Sequence, residues 1–471
     1  MLTPQRSPWQ AIQWTKSKPE LADTSRDAVL DRARVDGLAS ATSLRATLEA
    51  FGIPTVAGAT PLVQAQTLLH AAAEVEHALL VEYLYAAWSL GTNPSARTII
   101  NIAIQEMCHF LTVQNLLLFT GANPSVQRTD QAPSPTLDPF AFTLRPFSKF
   151  VLEEFLLTEM PSQSNMTEAQ LAIMKPIISQ HSKNGRLIHP VGIIYATLYW
   201  LFQADDRPTT DWPEIAHLGF EPGRHIPSFP GKGTDKTVQA DFMTEQKWHA
   251  GDARGGVLKT ITTREDALTA LFEIAAQGEG SPTAPQSHFE TFLDIYTTTD
   301  FSTLPSTNWP TDPFVSDQPT ADPTRETNRI TNPAAASLCA VLDLRYQIAL
   351  TSIRAALSRD RTNTGDLTTR TNYISYAFDE MLGFIRGIAL GLAQMPRTPG
   401  NAPPRAAPEF GLADFTLPDN AAGLDAALLA QHRKANAAIT SALPLVTDAG
   451  MKLLLRQMQQ VDIRRFPNLL T

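Results

Sequence analysis

The stretch from Ile99 to Leu117 constrains the chain most, because it combines helical periodicity with charge in an apolar setting. Ile99, Ile102, Ala103, Phe110, Val113 and Leu117 recur at three- and four-residue steps, which predicts a helix with one apolar stripe. At about 100° per residue these positions fall within roughly 60° of one direction, and Glu106 points the same way. His109 lies one turn on, at the edge of the stripe. Ile100, Ile104, Met107, Leu111 and Leu118 fill most of the other faces, so protein is expected all around this helix. A carboxylate there must be paired, protonated or bound to a metal ion. Glu and His at a spacing of three offer an ion one oxygen and one nitrogen from the same face. The bland account of one Glu-x-x-His is a surface pair or a core histidine.

A second segment repeats the anomaly. From Leu68 to Leu90, Leu69, Ala72, Ala73, Leu79, Leu80, Tyr83, Ala87 and Leu90 lie within about 60° of Glu76. Glu76 is therefore expected in the middle of an apolar face. Glu74 and Glu82 project elsewhere and are expected to be solvated. His77 flanks the stripe, and its own Glu-x-x-His with Glu74 faces away from the core. Tyr83 is either a neighbour of the ligands or core.

The 471 residues are 43% hydrophobic and 18% charged, which allows a large core and more than one lobe. A formal charge of -9 argues against nucleic acid, whose phosphates need clustered Lys and Arg. Two cysteines, Cys108 and Cys339, exclude a disulfide scaffold and suit a reducing cytosol. Cys108 falls on the far side of its helix from Glu106 and is expected to be a small buried hydrophobe. The N-terminus lacks the apolar core of a signal peptide, and no stretch is expected to span a membrane. A soluble, cytoplasmic protein is expected, with oligomerisation left open.

Residues 1–60 are expected to form an N-terminal extension with short helical pieces at 28–34 and 43–51. A helical bundle over 61–300 follows, the first two helices separated by Gly91-Thr92-Asn93-Pro94. In the segment up to Pro161, Glu159 shares a face with Leu152, Phe155 and Leu156, in the final turn where the helix dipole disfavours a carboxylate. It is either a ligand or an acid at a frayed end. Residues 190–204 predict an apolar helix whose Tyr195, Tyr199 and Trp200 are expected in the core. An excursion over 205–258, carrying a further Glu214-x-x-His217, is expected to cover the site. Helices at 264–277 and 287–296 follow, the second with His288, Phe292 and Ile295 on one face. Further bundle helices are expected within 334–395 (335–358 and 367–393), and one helical stretch over 423–461 in a C-terminal extension, 409–471. The fold class is all-α.

The blocks EVEHALLVEYLYAAWSL, IAIQEMCHFLTVQNLLLFTGANP, LTEMP, AAQGEG and SHFETF, in this order, resemble the ferritin-like family of the iminophenyl-pyruvate dimer synthases. That family acts in bisindole pigment pathways of the violacein and chromopyrrolic acid type. The resemblance covers roughly residues 62–296 and implies a ferritin-like helical bundle, here with additional C-terminal helices. It implies metal-site residues at Glu76, Glu106, His109 and Glu159, with Glu279 and His288 following. The second Glu-x-x-His of a symmetric di-iron bundle is missing. The implied cofactor is non-haem iron, one or two ions, with manganese the alternative. The implied activity is oxidative, on a small amino-acid-derived molecule. A rival of another class keeps the bundle as a non-catalytic ligand- or partner-binding protein with a vestigial site. Its buried glutamates would pair with arginine or stay protonated.

Overall fold

The computed structural model describes residues 11–15, 53–128, 142–161, 166–181, 192–204, 225–229, 255–279, 287–304, 308–315, 327–359, 364–400, 404–412 and 415–470. The expected helical pieces at 28–34 and 43–51, most of the 205–258 excursion with Glu214 and His217, and the side chain of Glu279 lie outside them. The fold is helical, as the periodicity predicted. A short antiparallel pair, β1 (Ile12–Thr15) and β2 (Ile53–Val56), pairs Ile12 with Val56.

Helix α1 (Pro61–Ser89) starts where Thr60 caps the Val63 amide and Pro61 takes the first turn. Asn93 and Pro94 start α2 (Pro94–Phe119) in the same way. The connection between them is too short for anything but an antiparallel hairpin, and it turns at Gly91 with φ +62°. The two long helices pack along each other. Around them lie α3 (Lys149–Thr158), α4 (Glu168–His181), α5 (Gly192–Leu201), α6 (Arg264–Glu279) and α7 (His288–Thr298). Helix α5 packs on α1 and α6, and α7 packs on α3, α2 and α6. In length and apolar composition α2 does qualify as a membrane span, contrary to expectation, but 89% of its most apolar window is buried inside the protein.

The C-terminal helices are α8 (Pro333–Leu357), α9 (Thr364–Phe378), α10 (Arg386–Leu392), α11 (Ala421–Ala442) and α12 (Ala449–Arg465). The expected unbroken helix over 367–393 is interrupted by a π-helical turn, Asp379–Ile385. That turn directs Glu380 inward to Arg345 and Arg465 and Asp379 to Arg465. The expected single stretch over 423–461 is two helices. The first ends before Pro444, which cannot continue it, and Asp448 caps the second.

One correction concerns α1. Glu74, expected to be solvated, is buried, and so is His77 beside it, because α1 is covered on two sides. Its second side meets the C-terminal part, where His77 hydrogen-bonds Tyr346 and Trp88 stacks on Phe410. Glu82 is half-buried and accepts the Thr143 amide at 2.8 Å. The periodicity found the stripe around Glu76 but not the partner of the opposite face.

Candidate metal centre

Five side chains from four elements converge between α1, α2, α3 and α7. Glu76 comes from α1, and Glu106 and His109 from α2. Glu159 caps the C-terminus of α3, where its φ of −94° and ψ of 1° leave the helix. His288 is the first residue of α7, fixed there by a capping box between Ser287 and Glu290. All five are at most 4% exposed. One ligand atom from each of Glu76, Glu106 and His109 lies within 4.8 Å of the others, and the same holds for Glu106, Glu159 and His288. Glu106 belongs to both groups.

The distances show how it is shared. His109 Nδ1 lies 3.0 Å from Glu106 Oε2 and 3.5 Å from Glu76 Oε2. His288 Nδ1 lies 2.8 Å from Glu106 Oε1 and 3.8 Å from Glu159 Oε1. Each oxygen of one carboxylate thus faces one imidazole. Both outer glutamates are held by phenols: Tyr195 donates to Glu76 Oε1, and Tyr83 donates to Glu159 Oε1 at 2.5 Å. The histidines are backed by amides, with His109 Nε2 2.8 Å from Gln277 Oε1 and His288 Nε2 2.9 Å from Gln105 Oε1. Tyr83 itself is wedged edge-on between Phe155 and Phe292.

This arrangement fits a metal ion on the chemistry of its unpaired atoms. Glu76 Oε2, Glu106 Oε1 and His288 Nδ1 are buried and make no hydrogen bond among the described residues. His288 Nδ1 and Glu106 Oε1 are 2.8 Å apart, yet their angle is not that of a hydrogen bond. Buried polar atoms left so cost about 1–3 kcal/mol each. Buried carboxylate oxygens and a ring nitrogen that converge without hydrogen-bond partners are what a cation satisfies. Carboxylate oxygens with imidazole nitrogens suit iron or manganese.

Without an ion, protons must fill that place. Burial would raise the Glu106 carboxyl, but the adjacent His288 and His109 hold it well below its usual range. Burial likewise opposes charge on the imidazoles, yet Glu106 outweighs it, raising His109 well above 6.5 and His288 to about 9. Glu76, pushed up by burial and by the charge of Glu106, reaches about 8. Burial and the charge of Glu106 thus favour the neutral acid at Glu76, and the two imidazoles favour the carboxylate form of Glu106.

Residues 69–297 match the Ferritin-like family model. This ferritin-like region runs from within α1 to the end of α7, so the whole cluster lies inside it. It accounts for the helical bundle and leaves the C-terminal helices outside the match. No curated protein and no solved structure matches the chain.

Sequence reasoning placed Glu76, Glu106, His109, Glu159 and His288 near a common centre, and the ferritin-like region does bring these five together. Glu279 ends α6, and its side chain is not among those described. Tyr195 was expected to be plain core; its hydroxyl instead reaches Glu76. Gln105 and Gln277 were not singled out. One signal could have found Gln105, which adjoins Glu106 on the most constrained helix. His77 and Glu74 are buried on the other side of α1.

Proposed function

We propose that the ferritin-like region is the metal centre of a non-haem, two-ion oxidative enzyme acting on a small organic, amino-acid-derived molecule. The observation that carries this is Glu106, whose two oxygens face two different imidazoles inside a buried set of acceptors. Glu76 and His109 would hold one ion, and Glu159 and His288 the other, with Glu106 shared between them. Iron is favoured, and it would supply the reducing electrons for oxygen chemistry when bound.

The chain's own residues do the rest. Tyr195 and Tyr83 each occupy one oxygen of an outer glutamate and so orient the carboxylate. Burial and the neighbouring carboxylates raise both phenols well above 10, so they remain hydrogen-bond donors. Phe155 and Phe292 keep water from the Glu159 side. Gly278 makes room there: a Cβ on it would stand 3.0 Å from Glu159 Oε2. Glu279 follows at once in the chain and is proposed as a further carboxylate of the centre. The substrate class rests on the resemblance of the five sequence blocks to the iminophenyl-pyruvate dimer synthases. A cytoplasmic setting is proposed from the two free, buried cysteines.

Of the two ways in which a vestigial site would accommodate its glutamates, pairing with arginine is not seen: among the described residues no Arg or Lys pairs with Glu76, Glu106 or Glu159. The test is to load the protein anaerobically with ferrous iron, then add oxygen. The loaded protein should consume oxygen in proportion to its iron and change its optical spectrum. Loaded protein that leaves oxygen untouched overturns the oxidative reading.

A further inference from the structure

Two glutamines stand behind the two histidines. Each presents an amide oxygen to an Nε2, at 2.8 Å for Gln277 and 2.9 Å for Gln105. Oxygen and nitrogen of an amide are interchangeable by shape, so the assignment must come from other bonds. For Gln277 the backbone supplies them. The Val257 amide donates to its Oε1 at 3.2 Å, and its Nε2 donates to the Gly255 carbonyl at 3.0 Å. The oxygen is therefore the atom that faces His109.

An amide oxygen only accepts, so the His109 nitrogen opposite it must carry the proton. In the neutral ring Nδ1 then has the free lone pair, and Nδ1 is the atom turned to Glu76 and Glu106. His288 repeats the geometry with Gln105. The supporting segment is itself anchored on α2. Thr112 donates to the Val257 carbonyl at 2.9 Å and accepts the Lys259 amide at 3.1 Å, and Asn115 donates to the Lys259 carbonyl at 2.6 Å. Gly255 turns at φ +81°, and a Cβ there would lie 3.8 Å from Gln105 Nε2. One short strap thus adjoins both glutamines.

We propose that Gln105 and Gln277 are a matched pair of positioning residues. Their amide oxygens hold His288 and His109 with Nε2 protonated and Nδ1 presented to the ions. This rests on the metal-binding reading above. Being uncharged, they orient the rings without the full negative charge that a carboxylate in the same place would add.

The test has two measurements on the full-length protein. Ferrous-ion affinity is measured anaerobically against a competing chelator for wild type, Gln105→Ala, Gln277→Ala and Gln277→Glu. Loss of either amide should weaken binding by about 10–100-fold, while Gln277→Glu, which still accepts from His109, should stay within a few-fold of wild type. Nitrogen NMR of histidine-labelled, zinc-loaded wild type should show two rings protonated at Nε2 and ligated through Nδ1. Alanine variants that bind as tightly as wild type, or rings ligated through Nε2, overturn the proposal alone. A wild type that takes up no ion overturns the metal-binding reading with it. If an alanine variant fails to fold, the wild-type NMR decides.

Discussion

Glu76 and Glu82 stand on the same helix within two turns, yet their environments differ completely. The first is buried against His109 and Tyr195, and the second is half-buried and caps the Thr143 amide. Gln keeps the shape of Glu but is a neutral, poorer ligand. Glu76→Gln is therefore expected to lose about one of two bound ions, and Glu82→Gln none, by elemental analysis of both variants after iron loading. Equal metal content would place the ion elsewhere. The protons that replace the ions give a second expectation. His288, raised from 6.5 to about 9, contributes stability present below 6.5 and lost as pH rises through 9. Glu76, raised to about 8, also destabilises the fold increasingly as pH rises toward that value. Both signs agree, so chelator-treated protein should melt at lower temperature at pH 9 than at pH 6.5, with loaded protein changing less. A chelated protein that gains stability over that interval contradicts the protonation scheme. At this scale the sequence was readable wherever charge interrupted a stripe, as at Glu76 and Glu106. Tyr195 escaped because a tyrosine in an apolar helix looks the same whether or not its hydroxyl has a task. Gln277 escaped because its task depends on the backbone of Gly255 and Val257, some twenty residues away in the chain.

Helix α6 shows how an element serves the centre by what it omits. Gly278 lies in its last turn, and a side chain there would press on Glu159. Ala is the better helix former by about 1 kcal/mol, so Gly278→Ala should leave thermal stability within a few degrees of wild type. Its added methyl must displace the Glu159 carboxylate, and occupancy of the ion beside His288 should fall. Full occupancy, measured by elemental analysis next to the melting curve, would show that Glu159 is free to give way. Element ends were legible where punctuation was local: Asn93 with Pro94, and Ser287 with Glu290, start helices as their chemistry dictates. The π turn at Asp379–Ile385 was not, since nothing in its own residues shows that Arg345 and Arg465 lie opposite.

In the molecule as a whole, the C-terminal helices carry a second buried polar group. Arg345, Glu380, His432 and Asp462 are all fully buried, with Arg345 Nη2 2.6 Å from Asp462 Oδ2 and His432 Nδ1 3.0 Å from Asp462 Oδ1. Asp462 is held down to about 2: burial opposes this, and His432 and Arg345 overcome it. Removing one partner of a buried ion pair typically costs about 3–5 kcal/mol, because the other charge stays buried. Asp462→Ala should lose stability by that amount in chemical denaturation, while iron binding by the folded fraction is unchanged. A loss under 1 kcal/mol would mean that Arg345 finds water. The bundle, Glu76, Glu106 and His109 could be read from periodicity because each lies on one helix face; Glu159, just past the end of its helix, stayed open, and Glu279 and His288 came from the resemblance. The packing of the C-terminal helices on α1, which buries His77 against Tyr346, could not, since it joins residues 269 apart. The most direct test of the shared centre is a ferrous-ion titration of the metal-stripped chain under anaerobic conditions. Two ions should bind per wild-type chain, and Glu106→Ala should lose both, since its carboxylate serves both imidazoles. A wild-type chain that binds none, or a Glu106→Ala chain that still binds two, would contradict the account.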